Sequence, residues 1–347
     1  MKSVSELRQD LVSGDWVVIA TGRAKRPNDF IIRKRASFVQ PKNTCPFEKR
    51  FSNARIVYAR PTGQSFGQAK DAREDSRTKG SNWWVQTIPN KFPALDKGIC
   101  AVFNKVGPYV STNGAGVHEV VITADHTRSF ALMTDAEVEL VVHMYQDRFR
   151  MLQDDACVNY ISLFHNHGRM SGASISHPHS QIIAIPVVPP DVASSFEGSE
   201  RYFAEKKECV HCVMVRYDIK DKKRLIYESK HFVALAPFAS RTAFELRIFP
   251  KTHQSRFEDI APDEQADFAH VLRVSLAKLY RGLNNPDYNF FLHTAPVKNS
   301  HSYGHYHWHF EILPKTAIWA GFEIGTGIEI STIKPENAAA FLKKIKV

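Results

Sequence analysis

Short stretches in which apolar and polar residues alternate recur along this chain, and two of them lead into long stretches with the spacing of an amphipathic helix. Alternation is typical of a half-buried strand, whereas apolar residues spaced by three and four indicate a helix. Strands are predicted at residues 16–20, 83–89, 119–123, 160–164, 177–185, 245–249 and 307–313, and helices at 135–151 and 262–283. Residues 28–80 and 186–208 show no sustained period, so they are predicted to be mostly loop and a linker.

The stretch His177-Pro178-His179-Ser180-Gln181 carries the strongest chemical signal. On an extended strand His177, His179 and Gln181 point to one face, and three polar side chains in one row would each need a partner in a core. A neutral imidazole is both a nucleophile and a metal ligand. The row therefore indicates catalysis or metal binding, with ordinary hydrogen bonding as the alternative.

The same arrangement occurs a second time later in the chain. His307, His309 and Glu311 repeat the alternation of two histidines and an acid or amide. Upstream of each row a strand ends near a single histidine, His126 or His253, and a helical stretch follows. The repeated order of strand, histidine, helix and His-x-His strand indicates an internal duplication.

Length and composition fit two similar halves of ordinary globular protein, residues 1–190 and 191–347. The chain has 347 residues, of which 43% are hydrophobic and 24% charged. No apolar run approaches the roughly 20 residues of a membrane span, and the first residues lack the apolar segment of a signal peptide. A cytoplasmic location without a membrane partner is therefore expected.

Charge and cysteine content narrow the classes of function. The net charge of +10 does not single out nucleic acid, because the basic residues are scattered along the chain, and a phosphate-bearing substrate explains part of the excess. Five cysteines, two of them in one Cys-x-x-Cys, favour a metal site in a reduced compartment over a disulfide framework.

Two sets of residues have the composition of zinc sites. In the second half, two thiolates and two histidines from the duplicated elements predict one zinc ion, although a Cys-x-x-Cys that only packs is the alternative. This set consists of Cys209, Cys212, His253 and His307. The corresponding first-half set has one thiolate and one carboxylate, which makes it a weaker and more pH-sensitive candidate. This set consists of Cys45, Glu48, His126 and His177.

Three segments carry candidate ligands for a phosphate or a nucleotide. Residues 165–174 include small residues, which let backbone N–H groups approach an anion closely. Residues 23–27 hold two guanidinium groups and an ammonium group before a proline, a set that can grip phosphate or a base, although a solvated loop explains them equally well. Asn90 and Lys91 follow an aromatic strand whose faces suit a nucleobase, with burial as ordinary core the alternative.

Taken together, these motifs resemble the galactose-1-phosphate uridylyltransferase family, a branch of the histidine-triad superfamily. The resemblance extends from about residue 8 to about residue 330 and rests on the segments RAKRP, NKFPAL, HNHGRMSGAS, HPHSQ, PKTH, LHTAP, HWH and GFEIGTG. It implies an α+β fold built as a duplicated histidine-triad-like unit, each half an antiparallel sheet with packed helices, and a homodimer. It also implies ping-pong transfer of a nucleoside monophosphate, UMP in particular, from a nucleotide sugar to a hexose 1-phosphate.

The resemblance assigns roles residue by residue. His179 resembles the nucleophile that forms a nucleotidyl-histidine, and His177 resembles a zinc ligand that orients the nucleophile strand. Gln181 stands where simpler triad proteins carry a third histidine, and an amide there stabilises the intermediate without offering a proton to the leaving group. The phosphate positions are Asn166, Gly172 and Ser174; the nucleotide positions are Arg23, Arg26, Asn90 and Lys91; and the sugar positions are Phe322, Glu323 and Glu329.

Several residues depart from the family pattern. Ala173 stands where a cysteine is common. Ser195 stands near the carboxylate that some members use as a second metal ligand, which favours the Cys209 and Cys212 version and leaves His293 and His309 as hydrogen-bonding partners. Glu329 and Ala317 replace a glutamine and a lysine, and this tail resembles relatives that act on ADP-glucose with inorganic phosphate.

Three other functions stay open at this point. The first is an adenylyltransferase similar to ADP-glucose phosphorylase, with phosphate as the acceptor. The second is a histidine-triad hydrolase, which needs a water-activating histidine where Gln181 stands. The third is a zinc-stabilised nucleic-acid-binding protein, which leaves the HPHSQ strand and the small-residue loop without a role.

Overall fold

The computed structural model describes residues 5–20, 26–31, 38–60, 82–96, 98–100, 102–298 and 300–347. The described strands are β1 (Glu6–Gln9), β2 (Trp16–Ile19), β3 (Ile56–Ala59), β4 (Trp83–Pro89), β5 (Asn104–Val106), β6 (Tyr109–Ser111), β7 (Val117–Thr123), β8 (Tyr160–His167), β9 (His179–Ile185), β10 (Leu225–Glu228), β11 (Phe232–Leu235), β12 (Leu246–Pro250), β13 (Tyr288–His293), β14 (His309–Pro314) and β15 (Glu329–Ser331). The described helices are α1 (Asp135–Leu152), α2 (Pro190–Lys206), α3 (Val210–Asp221), α4 (Pro262–Leu283), α5 (Gly321–Thr326) and α6 (Pro335–Lys344).

Ten of these strands form one sheet in the order β10-β11-β12-β14-β13-β8-β9-β7-β4-β3. Every neighbouring pair is antiparallel, so the predicted α+β fold with antiparallel sheets is confirmed. The order is symmetric about the β8/β13 contact, where Asn166 lies opposite Asn289. The two duplicated units therefore share a single sheet, with β9 and β14 in corresponding places.

The two long helices form where the sequence supplies their caps. Thr134 accepts a hydrogen bond from the Glu137 N–H at 3.3 Å, and the Glu137 carboxylate accepts one from the Thr134 N–H at 2.8 Å. At α4, Pro262 occupies the first turn and Glu264 accepts from the Ala261 N–H at 2.9 Å. Both helices pack on one face of the sheet in a single apolar core that draws on both halves, which leaves the opposite face for the polar residues of β9 and β14.

Local predictions fail where an element is short or begins at a proline. Residues 56–59 were expected in a loop but form β3, because this short apolar run pairs with β4 along its whole length. The expected linker at 186–208 contains α2, since Pro190 starts a helix at its first position. β8 continues through His167, beyond the predicted end at residue 164, so the expected loop at 165–174 starts later. β9 begins only at His179, because Pro178 has no N–H for the ladder.

The N-terminal strands lie on the second half of the molecule. β1 and β2 form a three-stranded sheet with β15, and β2 and β15 run parallel. Arg8 pairs with Glu336 at 2.9 Å, and Arg247 pairs with Asp10 at 3.1 Å. β1 and the residue that follows it thus pack against α6 and β12, although the predicted division places them in the first half.

The expectation that the cysteines are metal ligands rather than disulfides is wrong for one pair. Cys100 and Cys157 form a disulfide across 57 residues of sequence, a separation at which no local motif signals pairing. The remaining cysteines, Cys45, Cys209 and Cys212, are free thiols. Among the helices of the described ranges, none combines the length and apolar character needed to cross a membrane.

Candidate functional site

His179 lies at the first position of β9, and one of its ring nitrogens has a free electron pair. Its Nδ1 lies 2.8 Å from the carbonyl oxygen of His177, so Nδ1 carries the proton and donates it, and Nε2 is unprotonated. The side chain is 9% exposed, and the ring of Phe47 packs edge-on at 5.1 Å between centroids. Burial lowers the pKa of His179 below its ordinary value of 6.5, so the imidazole is neutral at pH 7. This is the state of a nucleophile.

Gln181 follows two residues later and is held by a histidine that sequence reasoning missed. Its Oε1 lies 2.8 Å from Nε2 of His118 on β7. The amide nitrogen of Asn90, a predicted nucleotide position, lies 3.0 Å from the same Nε2. The alternation of β7 gives a signal that could have found His118, because it lies on the same strand face as Val120, which pairs with Gln181.

The predicted phosphate positions lie along β8 and the turn after it. Asn289 donates from Nδ2 to Oδ1 of Asn166 at 2.7 Å and to the carbonyl of Ser171 at 2.9 Å. Because Oδ1 of Asn166 is the acceptor, the NH₂ group of Asn166 can donate to a phosphate oxygen. Gly172 has φ +89°, a left-handed conformation that an L side chain rarely adopts. Asn289, also missed from the sequence, thus ties this turn to the second half.

The remaining predicted ligands lie in different places. Lys91 is exposed in the turn after β4, and Ser174 is exposed after the Gly172 turn. Arg26 precedes a short turn whose Phe30 packs on Phe244 in the second half. Arg23 lies outside the described residues. The predicted sugar positions Phe322, Glu323 and Glu329 belong to the tail of the second half, where Glu323 and Glu329 line a cavity of about 420 Å³ that also holds His309.

The first-half ligand set converges beside the nucleophile. Ligand atoms of its four members lie within 4.8 Å of one another: Cys45, Glu48, His126 and His177. The Cys45 Sγ to His177 Nδ1 distance is 3.5 Å and the Glu48 Oε1 to His177 Nδ1 distance is 3.3 Å, close to the roughly 3.3–3.6 Å edges expected of a zinc tetrahedron.

The hydrogen bonds of this first-half set leave its electron pairs facing inward. Nε2 of His126 and Nε2 of His177 lie 2.6 Å and 2.7 Å from the carbonyls of Gln40 and Thr123, so both Nδ1 atoms are unprotonated. Oε1 of Glu48 contacts Nδ1 of His126. Both atoms are buried, and neither has a hydrogen-bond partner among the described residues. Two acceptors that face each other repel unless a cation lies between them, so the set fits a metal ion.

The second-half set has the same design with two thiols. Cys209 precedes α3 and Cys212 lies in its first turn. Sγ of Cys212 lies 3.4 Å from Nδ1 of His253 and 3.4 Å from Nδ1 of His307, and Sγ of Cys209 lies 4.0 Å from Nδ1 of His307. Nε2 of His253 donates to the Gly304 carbonyl at 2.8 Å. This bond leaves Nδ1 of His253 unprotonated, and two thiols and two imidazole nitrogens at these distances suit zinc.

His309 is the counterpart of His179 but lacks the setting for phosphate chemistry. Its Nδ1 lies 3.2 Å from the His307 carbonyl, the same contact that orients His179. Two residues later stands Glu311, whose carboxylate is paired with Arg241 and with Arg247 at 3.0 Å. An ionised carboxylate has no N–H to donate to a phosphate oxygen as an amide has, and its two guanidinium partners disfavour a metal ion between His293, His309 and Glu311.

Comparison with known proteins agrees with this geometry. Residues 2–189 match the sequence model of the galactose-1-phosphate uridyl transferase N-terminal domain, and residues 107–345 match a domain of unknown function. The chain is 33% identical to ADP-glucose phosphorylase of Arabidopsis thaliana over 99% of this chain and 93% of that protein. It is 30% identical to galactose-1-phosphate uridylyltransferase of Thermotoga maritima over 99% of both chains.

Solved structures show the same relationship. The crystal structure of an Arabidopsis thaliana ADP-glucose phosphorylase with bound ADP-glucose superimposes with a TM-score of 0.77 at 31% identity, covering 99% of this chain and 100% of that one. A uridylyltransferase structure superimposes with a TM-score of 0.71 at 25% identity, covering 98% of this chain and 97% of that one. Matching sequence, matching fold and a neutral histidine in the HPHSQ strand lead to one conclusion: the chain is a nucleotidyltransferase enzyme of the galactose-1-phosphate uridylyltransferase family.

Proposed function

We propose that this enzyme moves UMP from a nucleotide sugar, UDP-glucose, to a hexose 1-phosphate through a uridylyl group on His179. The observation that carries the proposal is the unprotonated Nε2 of His179, which the Nδ1 bond to the His177 carbonyl holds in place. A resting histidine that is already neutral and oriented attacks phosphorus without prior proton loss.

The transfer proceeds in two displacements at the α-phosphorus. In the first, Nε2 of His179 forms a bond to phosphorus while the bond to the bridging oxygen breaks, and glucose 1-phosphate leaves with the electron pair. In the second, a phosphate oxygen of the acceptor forms the new bond and the N–P bond breaks, which restores neutral His179. Asn166 and Gln181 donate hydrogen bonds to the phosphoryl oxygens, whose negative charge they stabilise in both transition states.

Gly172, Ser174, Asn90 and Lys91 complete the proposed nucleotide-binding residues of this face. Gly172 lets the backbone after β8 turn beneath the phosphates, since its φ of +89° is one that L side chains rarely adopt. Asn90 lies one hydrogen-bond distance from His118, which contacts Gln181, so it lies close to the proposed phosphate donor. Arg23 and Arg26 are retained as nucleotide ligands, and Phe322, Glu323 and Glu329 as sugar ligands.

Zinc is the proposed resident metal at both four-residue sets. At the first set, zinc would fix His177, whose carbonyl holds Nδ1 of His179, so its contribution to catalysis would be orientation of the nucleophile. At the second set, zinc would join α3, the segment after β12 and the segment before β14. Neither ion is required to contact the phosphates.

A homodimer is proposed as the working form. Several apolar side chains are exposed in and beside the β5/β6 hairpin and in the C-terminal tail. Single exposed apolar residues are normal on a protein surface, whereas several in one short segment mark an interaction surface. The exposed residues in these two segments are Phe103, Val106, Tyr109, Val110, Ile318, Phe322 and Ile324. A second copy would cover them.

A second candidate is adenylyl transfer from ADP-glucose with inorganic phosphate as the acceptor. It is favoured by Glu329, a carboxylate where the uridylyltransferase pattern has an amide, and by the 33% identity to an ADP-glucose phosphorylase. Both candidates use the same nucleophile and differ in base and acceptor.

One experiment tests both candidates. The purified enzyme is incubated with UDP-glucose or with ADP-glucose in the absence of acceptor, and its intact mass is measured. We expect a uridylyl adduct from UDP-glucose and release of an equal amount of glucose 1-phosphate. An adenylyl adduct alone would establish the second candidate, and no adduct from either donor would overturn the transferase proposal.

Gln181→His should shift the fate of the nucleotidyl intermediate from transfer toward hydrolysis. A histidine at this position can hand a proton to a leaving group and activate water, which an amide cannot do. We expect the hydrolysed fraction of the isolated adduct to rise by about 10-fold or more, on the scale of general acid–base catalysis. Gln181→Asn is the control that keeps an amide. An unchanged ratio of transfer to hydrolysis in Gln181→His would contradict this role.

A further inference from the structure

His118 lies on β7, the strand next to β9, and its ring lies between the backbone N–H of Ala94 and the side chain of Gln181. Its Nδ1 lies 3.0 Å from the N–H of Ala94, and its Nε2 lies 2.8 Å from Oε1 of Gln181. We infer that His118 is a positioning residue that sets which end of the Gln181 amide faces the reacting phosphate. This inference rests on the proposed function, and it adds a residue to the reaction rather than another ligand.

The backbone of Ala94 determines the tautomer of His118. A backbone N–H cannot turn around, so Nδ1 of His118 must accept, and the single proton of the neutral ring is on Nε2. Nε2 therefore donates, and Oε1 of Gln181 is the acceptor within reach. Nδ2 of Asn90 lies 3.0 Å from the same nitrogen, but an amide NH₂ cannot accept a proton, and Oδ1 of Asn90 already accepts from the Phe92 N–H at 2.9 Å.

The orientation of the amide has a direct consequence at the phosphate. With Oε1 bound to His118, the NH₂ group of Gln181 is the end left for the open face, on the same side of β9 as His179. An amide turned the other way would direct a carbonyl oxygen at anionic phosphate oxygens and would stabilise neither transition state. The proton on Nε2 of His118 thus keeps the NH₂ end of Gln181 toward the phosphate. The Ala94 N–H, in the segment after β4, keeps that proton on Nε2.

Three substitutions separate this role from plain packing. His118→Ala removes the donor, His118→Gln replaces it with an amide N–H on a side chain of similar reach, and His118→Glu offers only acceptors when ionised, which favours the inverted Gln181. We expect kcat for adduct formation to fall about 10-fold to 100-fold in His118→Ala, the range seen when a residue that orients a functional side chain is removed. His118→Gln should restore most of it, His118→Glu should fall below His118→Ala, and KM should change less than kcat.

A double-mutant comparison shows whether His118 acts through Gln181. In a Gln181→Ala background, His118→Ala should cause little further loss, since the group it orients is gone. Equal losses in both backgrounds, or full activity in His118→Ala, would overturn the inference. Thermal unfolding is measured for each variant alongside the kinetics. A fall in kcat that parallels a fall in stability and is not recovered in His118→Gln would also contradict the inference.

A measurement without turnover keeps the inference apart from the proposed function. The ¹⁵N resonances of the imidazole rings report which nitrogen carries the proton, and His118 should show a protonated Nε2 and an unprotonated Nδ1. A protonated Nδ1 would overturn the inference even in a fully active enzyme. Failure of the wild-type enzyme to form any nucleotidyl adduct would overturn the proposed transfer, while the tautomer would still be decided by the spectrum.

Discussion

His179→Asn should abolish the nucleotidyl adduct and both half-reactions, with a fall in rate on the order of 10⁴-fold or more, as for loss of other covalent nucleophiles. Asparagine keeps an N–H near the place of Nδ1, so it can still donate to the His177 carbonyl that lies 2.8 Å from the native ring. It has no nitrogen with a free electron pair. The expected defect is therefore chemical, and intact mass after incubation with each nucleotide sugar measures it.

The duplication supplies a matched control for this variant. His309 makes the same contact to the His307 carbonyl, at 3.2 Å, in the corresponding strand. His309→Asn changes an equivalent residue without touching β9, and the adduct should form as in the wild type. Labelling that persists in His179→Asn and disappears in His309→Asn would assign the nucleophile to the second half and would contradict the proposed mechanism.

Loss of the zinc ion proposed for the second-half set should unfold the protein, whereas loss of the ion proposed for the first-half set should inactivate the enzyme before it unfolds. Structural zinc sites bind with about 10–16 kcal/mol, as large as the whole stability of a typical domain, about 5–15 kcal/mol. Cys212→Ser removes a thiolate that lies 3.4 Å from both histidines of its set. We expect one zinc fewer by elemental analysis and a large drop in the midpoint of unfolding.

The first-half set has a single thiolate, so its proposed zinc ion should be the first to be lost to a chelator and as pH falls. Protons compete with metal for imidazole and thiolate, so the metal contributes stability at neutral pH that is lost as pH decreases. Activity should decline with this first ion before circular dichroism changes, because His177 is two residues from the nucleophile. Cys100→Ser, which breaks the Cys100–Cys157 disulfide but leaves both ligand sets intact, should keep both ions.

Two outcomes would contradict the metal assignment. One is loss of the first zinc ion with no loss of activity. The other is a protein from zinc-replete medium that contains no zinc at all.

The sequence by itself determined the duplicated order of elements and indicated the chemistry that we propose for the site. The helices at 135–151 and 262–283 were predicted within one residue of their observed ends, because each has a cap and a long, regular apolar period. His179 was predicted to be functional because two histidines and an amide alternate in a strand where core residues belong. These signals are local, so neighbouring residues carry them.

Only the tertiary structure decided which residues distant in sequence lie next to each other in the site. Cys45 meets His177 across 132 residues, and His118 meets Gln181 across 63, through strand pairings that no short segment encodes. The β8/β13 contact merges two predicted sheets into one, and Glu323 and Glu329 line a cavity together with His309. Periodicity fixes which face of a strand a residue occupies, but the partner strand is chosen by burial of the whole core, and that choice assembled this site.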